Sequence, residues 1–225
     1  MARTEQRRLC AYSCFYNGRH LRRYASAMRL VLASASPRRA EILRNAGFAF
    51  EVSPADVDET PRPHEPAEVY VRRLAEEKAR VAVKRFARGA TPVIVIAADT
   101  TVVAGGQMLG KPESQEDARR MLRMLSGQTH EVLTGISVIR SSDGYAASHM
   151  EITRVSFAKL SESEIEEYIS SGEPFDKAGG YGIQGIAGRY VTRIEGCYFN
   201  VMGLPLSRVW SLVQALQSPV APSNS

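Results

Sequence analysis

Apolar and polar positions along this chain repeat with two different periods, and the switches between them mark its elements. Residues 29–34 (RLVLAS) are a short apolar run that predicts a buried strand. Ser36 then supplies an N-cap and Pro37 a first helical position, and the predicted helix 37–46 stops at Gly47. Residues 48–53 predict a second strand, and 54–64 an acidic, proline-containing loop. From Pro66 the period becomes helical, with Val69, Val71, Leu74, Ala75, Ala79, Val81 and Ala82 on or near one face. That reading puts Lys78, in Glu76-Glu77-Lys78, on the polar side.

Residues 93–98 (VIVIAA) are the near-continuous apolar run of a strand covered on both faces, and 101–104 lead into a hairpin turn at Gly105-Gly106. Ser114 caps a predicted helix that runs to Ser126 and stops at Gly127. Strands are predicted over 131–140 and 145–159, joined by the turn 141–144. Ser161 and Glu164 have capping-box spacing for a helix ending near Gly172. Residues 173–188 show no period. Residues 189–194 and 198–201 predict two strands around a turn, and Pro205 opens a last helix that fades near Gln217. The tail 218–225 is expected to be disordered. No internal repeat is present. This mixture of strands and helices predicts an α/β domain with a mixed sheet.

A chain of 225 residues suits one domain, or one domain with two lobes. No apolar run approaches the ~20 residues of a membrane span. The net charge of +5 suggests nucleic-acid binding until it is located. Six arginines and one glutamate before Met28 carry all of it, leaving 23 basic and 23 acidic residues in balance. No general electrostatic case for nucleic acid remains. Three cysteines make no disulfide framework or zinc motif, so a reducing, cytoplasmic setting is expected. Segment 1–27 is arginine-rich and lacks the apolar stretch of a secretory signal. It reads as a transit peptide or as translated sequence upstream of a start at Met28; the second is favoured because Met28 directly precedes the first strand. The segment is left out of the folded domain, 28–217.

Five clusters carry candidate chemistry. Ser34-Ala35-Ser36-Pro37-Arg38-Arg39 lies where a strand turns into a helix, whose free N–H groups and positive dipole end attract anions. The two arginines add forked donors suited to phosphate. The glycines and lysine of a P-loop are absent. Asp99, in Ala97-Ala98-Asp99-Thr100-Thr101, ends a buried strand, where α/β sheets place reactive groups. The loop Asp56-Val57-Asp58-Glu59 offers hard oxygens for Mg²⁺ or Mn²⁺. Gly110-Lys111-Pro112 holds a lysine in a stiff turn. Residues 173–185 (EPFDKAGGYGIQG) combine glycines, an aromatic, an amide and opposite charges.

In order, LASASPRRAEIL, VDE, EEKAR, AADTTV, LGKP, LSGQTHEVLTG, EPFDKAGGYGIQG and NVMGLPL span Leu32 to Leu206, and as a set they resemble the Maf family of nucleotide pyrophosphatases. The resemblance implies an elongated mixed sheet flanked by helices, two lobes and a deep cleft, similar to inosine triphosphate pyrophosphatases. It implies cleavage between the α and β phosphates, and EPFDKAGGYGIQG resembles the branch acting on dTTP and UTP, with Gly180 where alanine is usual. The alternatives are another base preference, such as 7-methyl-GTP, or a nucleotide-binding regulator of septum formation without turnover. Carried over by position, Asp99 is the expected general base. Asp58, Glu59 and Asp99 are expected metal ligands for a divalent cation, and Ser34, Arg38, Arg39, Lys78 and Lys111 are expected around the triphosphate. Arg38, Thr100 and Gln184 are expected to set base choice. The Gln184 amide pairs one donor with one acceptor, matching N3–H and O4 of uracil or thymine. A homodimer is the family expectation.

Overall fold

The structure, a computed structural model, describes residues 28–217 apart from residues 88 and 90. The expectations for 1–27 and for 218–225 lie outside the described residues. β1 (Arg29–Leu32), α1 (Pro37–Asn45), β2 (Phe50–Val52), α2 (Ala67–Lys84), β3 (Val93–Ala104) and β4 (Gln107–Leu109) come first. α3 (Gln115–Leu125), β5 (Thr129–Arg140), β6 (Ala146–Phe157), α4 (Glu162–Ser170), β7 (Val191–Glu195), α5 (Tyr198–Val201) and α6 (Leu206–Gln217) follow. Short 3₁₀ turns fill much of 173–190.

The strands form one open, mixed, seven-stranded sheet in the order β2-β1-β3-β5-β6-β7, with β4 pairing β3. β1 runs parallel to β2 and to β3, each connection carrying a helix. The pairs β3–β5, β5–β6 and β6–β7 are antiparallel. This is the α/β fold with a mixed sheet flanked by helices that the sequence predicts. Among the described residues no helix is long and apolar enough to cross a membrane.

The pleat of β3 sorts its side chains between two faces. Val93, Val95 and Ala97 pack under α2 with Val31, Ala79 and Ala82. Ile94, Ile96 and Ala98 face α1 and α6, with Leu43, Val209 and Val213. Further along that second face, Val102 and Ala104 join a separate core with α3 and α4. Two cores therefore share one sheet face, and Thr100 falls between them.

Several expectations are corrected. Residues 198–201 are a short helix, not a strand. Gly196, at φ 129°, turns the chain out of the sheet, and the buried Asn200 amide donates to Val132 O (2.9 Å) and Thr153 Oγ1 (3.0 Å), replacing ladder bonds. Val69 is 52% exposed, being off the 71/75/78/82 stripe that meets the sheet. Lys78 lies on that stripe and is buried, not on the polar side. Ser36 occupies the N-cap of α1 but makes no side-chain cap bond; its backbone N–H donates to Ser34 Oγ (3.2 Å). The caps at Ser114 and Ser161 form as expected.

Gly135 of β5 faces Asp99 across the ladder and sits beneath α2. A Cβ there would run into the Val71 carbonyl, so the helix rests on bare backbone. Backbone cannot give way as a flexible side chain can. Gly135→Ala is expected to cost at least the ~1–3 kcal/mol of overpacking and to lower Tm by several degrees in thermal denaturation. An unchanged Tm would show that α2 does not rest there.

Candidate active site

The turn leaving β1 and the first turn of α1 bring Ser34, Arg38 and Arg39 together. Arg39 spends its donors on the protein: Nε on Gly203 O (2.7 Å), Nη1 on Ser34 Oγ (3.0 Å) and Ala98 O (2.8 Å), and Nη2 on Thr100 Oγ1 (3.0 Å). Burial lowers its pKa, the Asp99 charge opposes this, and neighbouring Arg38 lowers it further. Arg38 instead reaches out to Asp176, with Nη1 on Oδ2 (2.7 Å) and Nη2 on the carbonyl (3.0 Å).

Beneath α2 lies the charged centre. Lys78 Nζ is 2.6 Å from Asp99 Oδ1 and 2.6 Å from Glu59 Oε1. The Lys78 and Asp99 side chains are each only 10% exposed, while Glu59 is 54% exposed. Burial pushes the Glu59 carboxyl up, but the hydrogen bond and charge of Lys78, with Lys111 and Arg39 beyond, hold it below the ordinary carboxylate range. Tyr70, one helical turn from Arg73, donates its hydroxyl to Glu59 O (2.9 Å). Burial first, then the Asp99 and Glu59 charges, pushes its phenol up to about 12. Arg73 fastens the loop's far end through a nearly buried pair with Glu65, Nε to Oε1 at 2.6 Å and Nη2 to Oε2 at 2.7 Å.

The segment after α4 is built around Glu173. Its carboxylate accepts from Tyr168 OH (3.1 Å) and from Ile186 N (2.9 Å), and a Cβ at Gly185 would collide with it. Lys177 Nζ donates to Glu173 O (2.7 Å) and Asp176 Oδ1 (2.6 Å). The loop so folded presents Gln184 exposed. Gly179 N bonds Gly110 O (2.9 Å), docking the Lys111 turn on the same segment. Under it, His130 Nε2 pairs with Tyr181 OH at 2.8 Å, and both rings are buried.

The structure thus brings Lys78, Asp99 and Glu59 into contact, with Lys111 and Arg39 close enough for their charges to act on Glu59. Arg38, next to Arg39 on α1, is not among their contacts and bonds Asp176. Thr100 lies on the opposite sheet face from Asp99, bonded to Arg39 and, at 2.9 Å, to Thr134 Oγ1. Asp58 is exposed and takes the Thr60 N–H (2.9 Å), and Asp56 is exposed as well. Among the described residues no three His, Cys, Asp or Glu side chains form a group that could hold a metal. The two carboxylates that do converge, Glu59 and Asp99, suit Mg²⁺, which is commonly held by one or two carboxylates plus substrate phosphates. Sequence reasoning missed Tyr70, Arg73 and His130, and gave Glu173 no role of its own within the 173–185 segment. The signal for the first two was their place on the helix directly after the acidic loop.

Fold and site together define a class: an α/β protein whose central strand carries a buried carboxylate that shares one lysine with a second, exposed carboxylate, an arrangement suited to a phosphate-bearing ligand. Residues 29–216 match the family described as Maf-like protein, and the chain belongs to that family. It is 49% identical to the dTTP/UTP pyrophosphatase of Anaeromyxobacter dehalogenans (strain 2CP-C) over 197 residues, covering 86% of this chain and 97% of that one. It is 52% identical to the protein of the same name from Hahella chejuensis, covering 79% and 87%, and 48% identical to that of Koribacter versatilis, covering 85% and 96%. Among solved structures it is similar to the Staphylococcus aureus Ham1 protein, at 14% identity and a TM-score of 0.48, covering 84% and 99%.

His130 makes a prediction about acid. Burial lowers its pKa from 6.5 to about 4, so the folded state binds fewer protons than the unfolded chain between those values. Its contribution to stability is complete above pH 6.5 and is lost as the pH falls toward 4. Urea unfolding across that window should show a shallower loss in His130→Gln than in the wild type. Parallel losses would assign the acid sensitivity elsewhere.

Proposed function

We propose that the protein hydrolyses dTTP and UTP to the nucleoside monophosphate and pyrophosphate. The observation that carries this is the Lys78 ammonium clamped between Asp99 and Glu59 at 2.6 Å from each. It is supported by relatives about half identical along most of their length and named dTTP/UTP pyrophosphatase. Asp99 is the general base. Its carboxylate takes a proton from water, the water oxygen bonds to the α phosphorus, and the bond to the bridging oxygen breaks, releasing pyrophosphate. Lys78, Lys111, Arg38 and the Ser34 hydroxyl surround the phosphates, where positioning and charge neutralisation do most of the work. Arg38 exchanges the exposed Asp176 for a phosphate oxygen. Mg²⁺ or Mn²⁺ would be held by Glu59 and Asp99 and would supply further charge neutralisation.

Gln184 reads the base, its loop held by Glu173 beneath. A homodimer accompanies this reading on the family resemblance and a cytoplasmic setting on the cysteine usage, and light scattering on the purified protein measures the first.

A panel of canonical and modified nucleoside triphosphates, with product identification, tests the reaction. Monophosphate and pyrophosphate from dTTP and UTP are expected, with loss in EDTA and recovery on adding Mg²⁺ or Mn²⁺. Asp99→Asn should lower kcat by about 10²–10⁴-fold while nucleotide still binds; wild-type protein that binds but never turns over would favour the regulator. Gln184→Glu should sharply weaken UTP cleavage, and unchanged base selectivity would remove Gln184 from base reading.

A further inference from the structure

Arg38 and Arg39 are adjacent and read alike in sequence, yet the structure uses them differently. Arg38 holds an exposed acid. Arg39 has four of its five N–H groups committed to protein acceptors at 2.7–3.0 Å. Two of those acceptors flank Asp99: Ala98 O precedes it and Thr100 Oγ1 follows it. The others are Ser34 Oγ, in the turn after β1, and Gly203 O, in the loop before α6. One planar guanidinium on α1 therefore ties the turn after β1 and the loop before α6 to the piece of β3 that carries the proposed base.

Direction matters as much as number. Adjacent strand residues point to opposite faces, so Asp99 turns toward Lys78 under α2 while Thr100 turns toward Arg39. Arg39 grips the strand from behind the carboxylate. Gly203 sits at φ 103°, a backbone conformation that L side chains rarely adopt, and in it the carbonyl meets Arg39 Nε at 2.7 Å. Binding a phosphate would require Arg39 to give up several of these bonds in a largely buried place, each a loss comparable to an unmade hydrogen bond.

We infer that Arg39 is a positioning residue for Asp99, bracing β3 from the face opposite the carboxylate, and not a ligand of the triphosphate. The inference rests on the proposed role of Asp99.

Arg39→Lys keeps the charge and loses the fork. With dTTP, kcat should fall about a hundredfold, the scale of a small misplacement of a reacting group, with KM within twofold of wild type. Added guanidinium should restore part of kcat in Arg39→Ala. A tenfold or larger rise in KM with kcat retained would make Arg39 a phosphate ligand and overturn the inference. Should the arginine variants fail to fold, Thr100→Val removes one acceptor and leaves Arg39 in place; its kcat should fall at constant KM, and an unchanged kcat overturns the inference. Amide hydrogen exchange over residues 98–101 needs no turnover. Faster exchange there in Arg39→Lys is expected even if the wild type proves inactive, which separates this inference from the proposed reaction, and unchanged exchange refutes the brace.

Discussion

The Lys78 ammonium between Asp99 and Glu59 is the interaction on which the site depends. Taking a cation out of water costs several kcal/mol unless its partners are close and well aimed, and here two carboxylates meet it at 2.6 Å. The contact has structural preconditions on both sides. On the helix side, α2 must lie low enough on the sheet for a side chain two turns beyond Val71 to reach β3, and the bare backbone of Gly135 permits that. On the strand side, Asp99 must present its carboxylate toward α2, and the bonds around Ala98 and Thr100 hold the strand that carries it.

The two carboxylates are not equivalent. Asp99 is nearly enclosed, whereas Glu59 is half exposed on a loop. That loop is fastened at points that spare the Glu59 side chain: Tyr70 takes its carbonyl, and Arg73 binds Glu65 and Thr60 O further along. Glu59 is thus held in place by its backbone while its carboxylate stays able to change partners. A polyanion approaching Lys78 would compete with Glu59 rather than with Asp99. The displaced Glu59 carboxylate would then be free, with Asp99, to hold a divalent cation.

Much of the fold was legible because its boundaries are punctuated locally. Pro37, Gly47, Ser114, Gly127 and the Ser161–Glu164 box act within one helical turn, so sequence spacing alone reveals them. The misreadings share a different cause. Residues 198–201 look like a strand because they are apolar and aromatic, but Asn200 is committed to Val132 O and Thr153 Oγ1, residues far away in sequence. Glu76 and Glu77 beside it make Lys78 read as a residue of the polar side. Yet 71, 75, 78 and 82 fall on one stripe, and a lysine interrupting an apolar stripe is itself the sign of a buried charge. Asp99 was visible from residue type, although it lies in the middle of β3 and not at the end of a strand, because the strand continues past it to Ala104. Glu59 was visible only as part of an acidic loop, and its own role came with the family resemblance. That they share one ammonium, and that Arg39 and Arg38 diverge, follows from contacts spanning 19 to 164 residues, which no local pattern encodes.

Charge bookkeeping explains how a globular part with balanced charge can still present cations to an anion. Most of its arginines are neutralised in place: Arg119 by Glu166 and Glu116, Arg123 by Glu162, Arg73 by Glu65, Arg140 by Asp143. The cations around Asp99 differ in what they touch. The partners of Lys78 and Arg38 include exposed carboxylates that can be exchanged, and Lys111 stands exposed in its turn. Lys78 and Arg38 can therefore offer positive charge to an anion by exchanging an exposed carboxylate. A phosphate group that reached Lys78 or Arg38 would replace Glu59 or Asp176, both exposed carboxylates, and would leave the buried Asp99 contact in place.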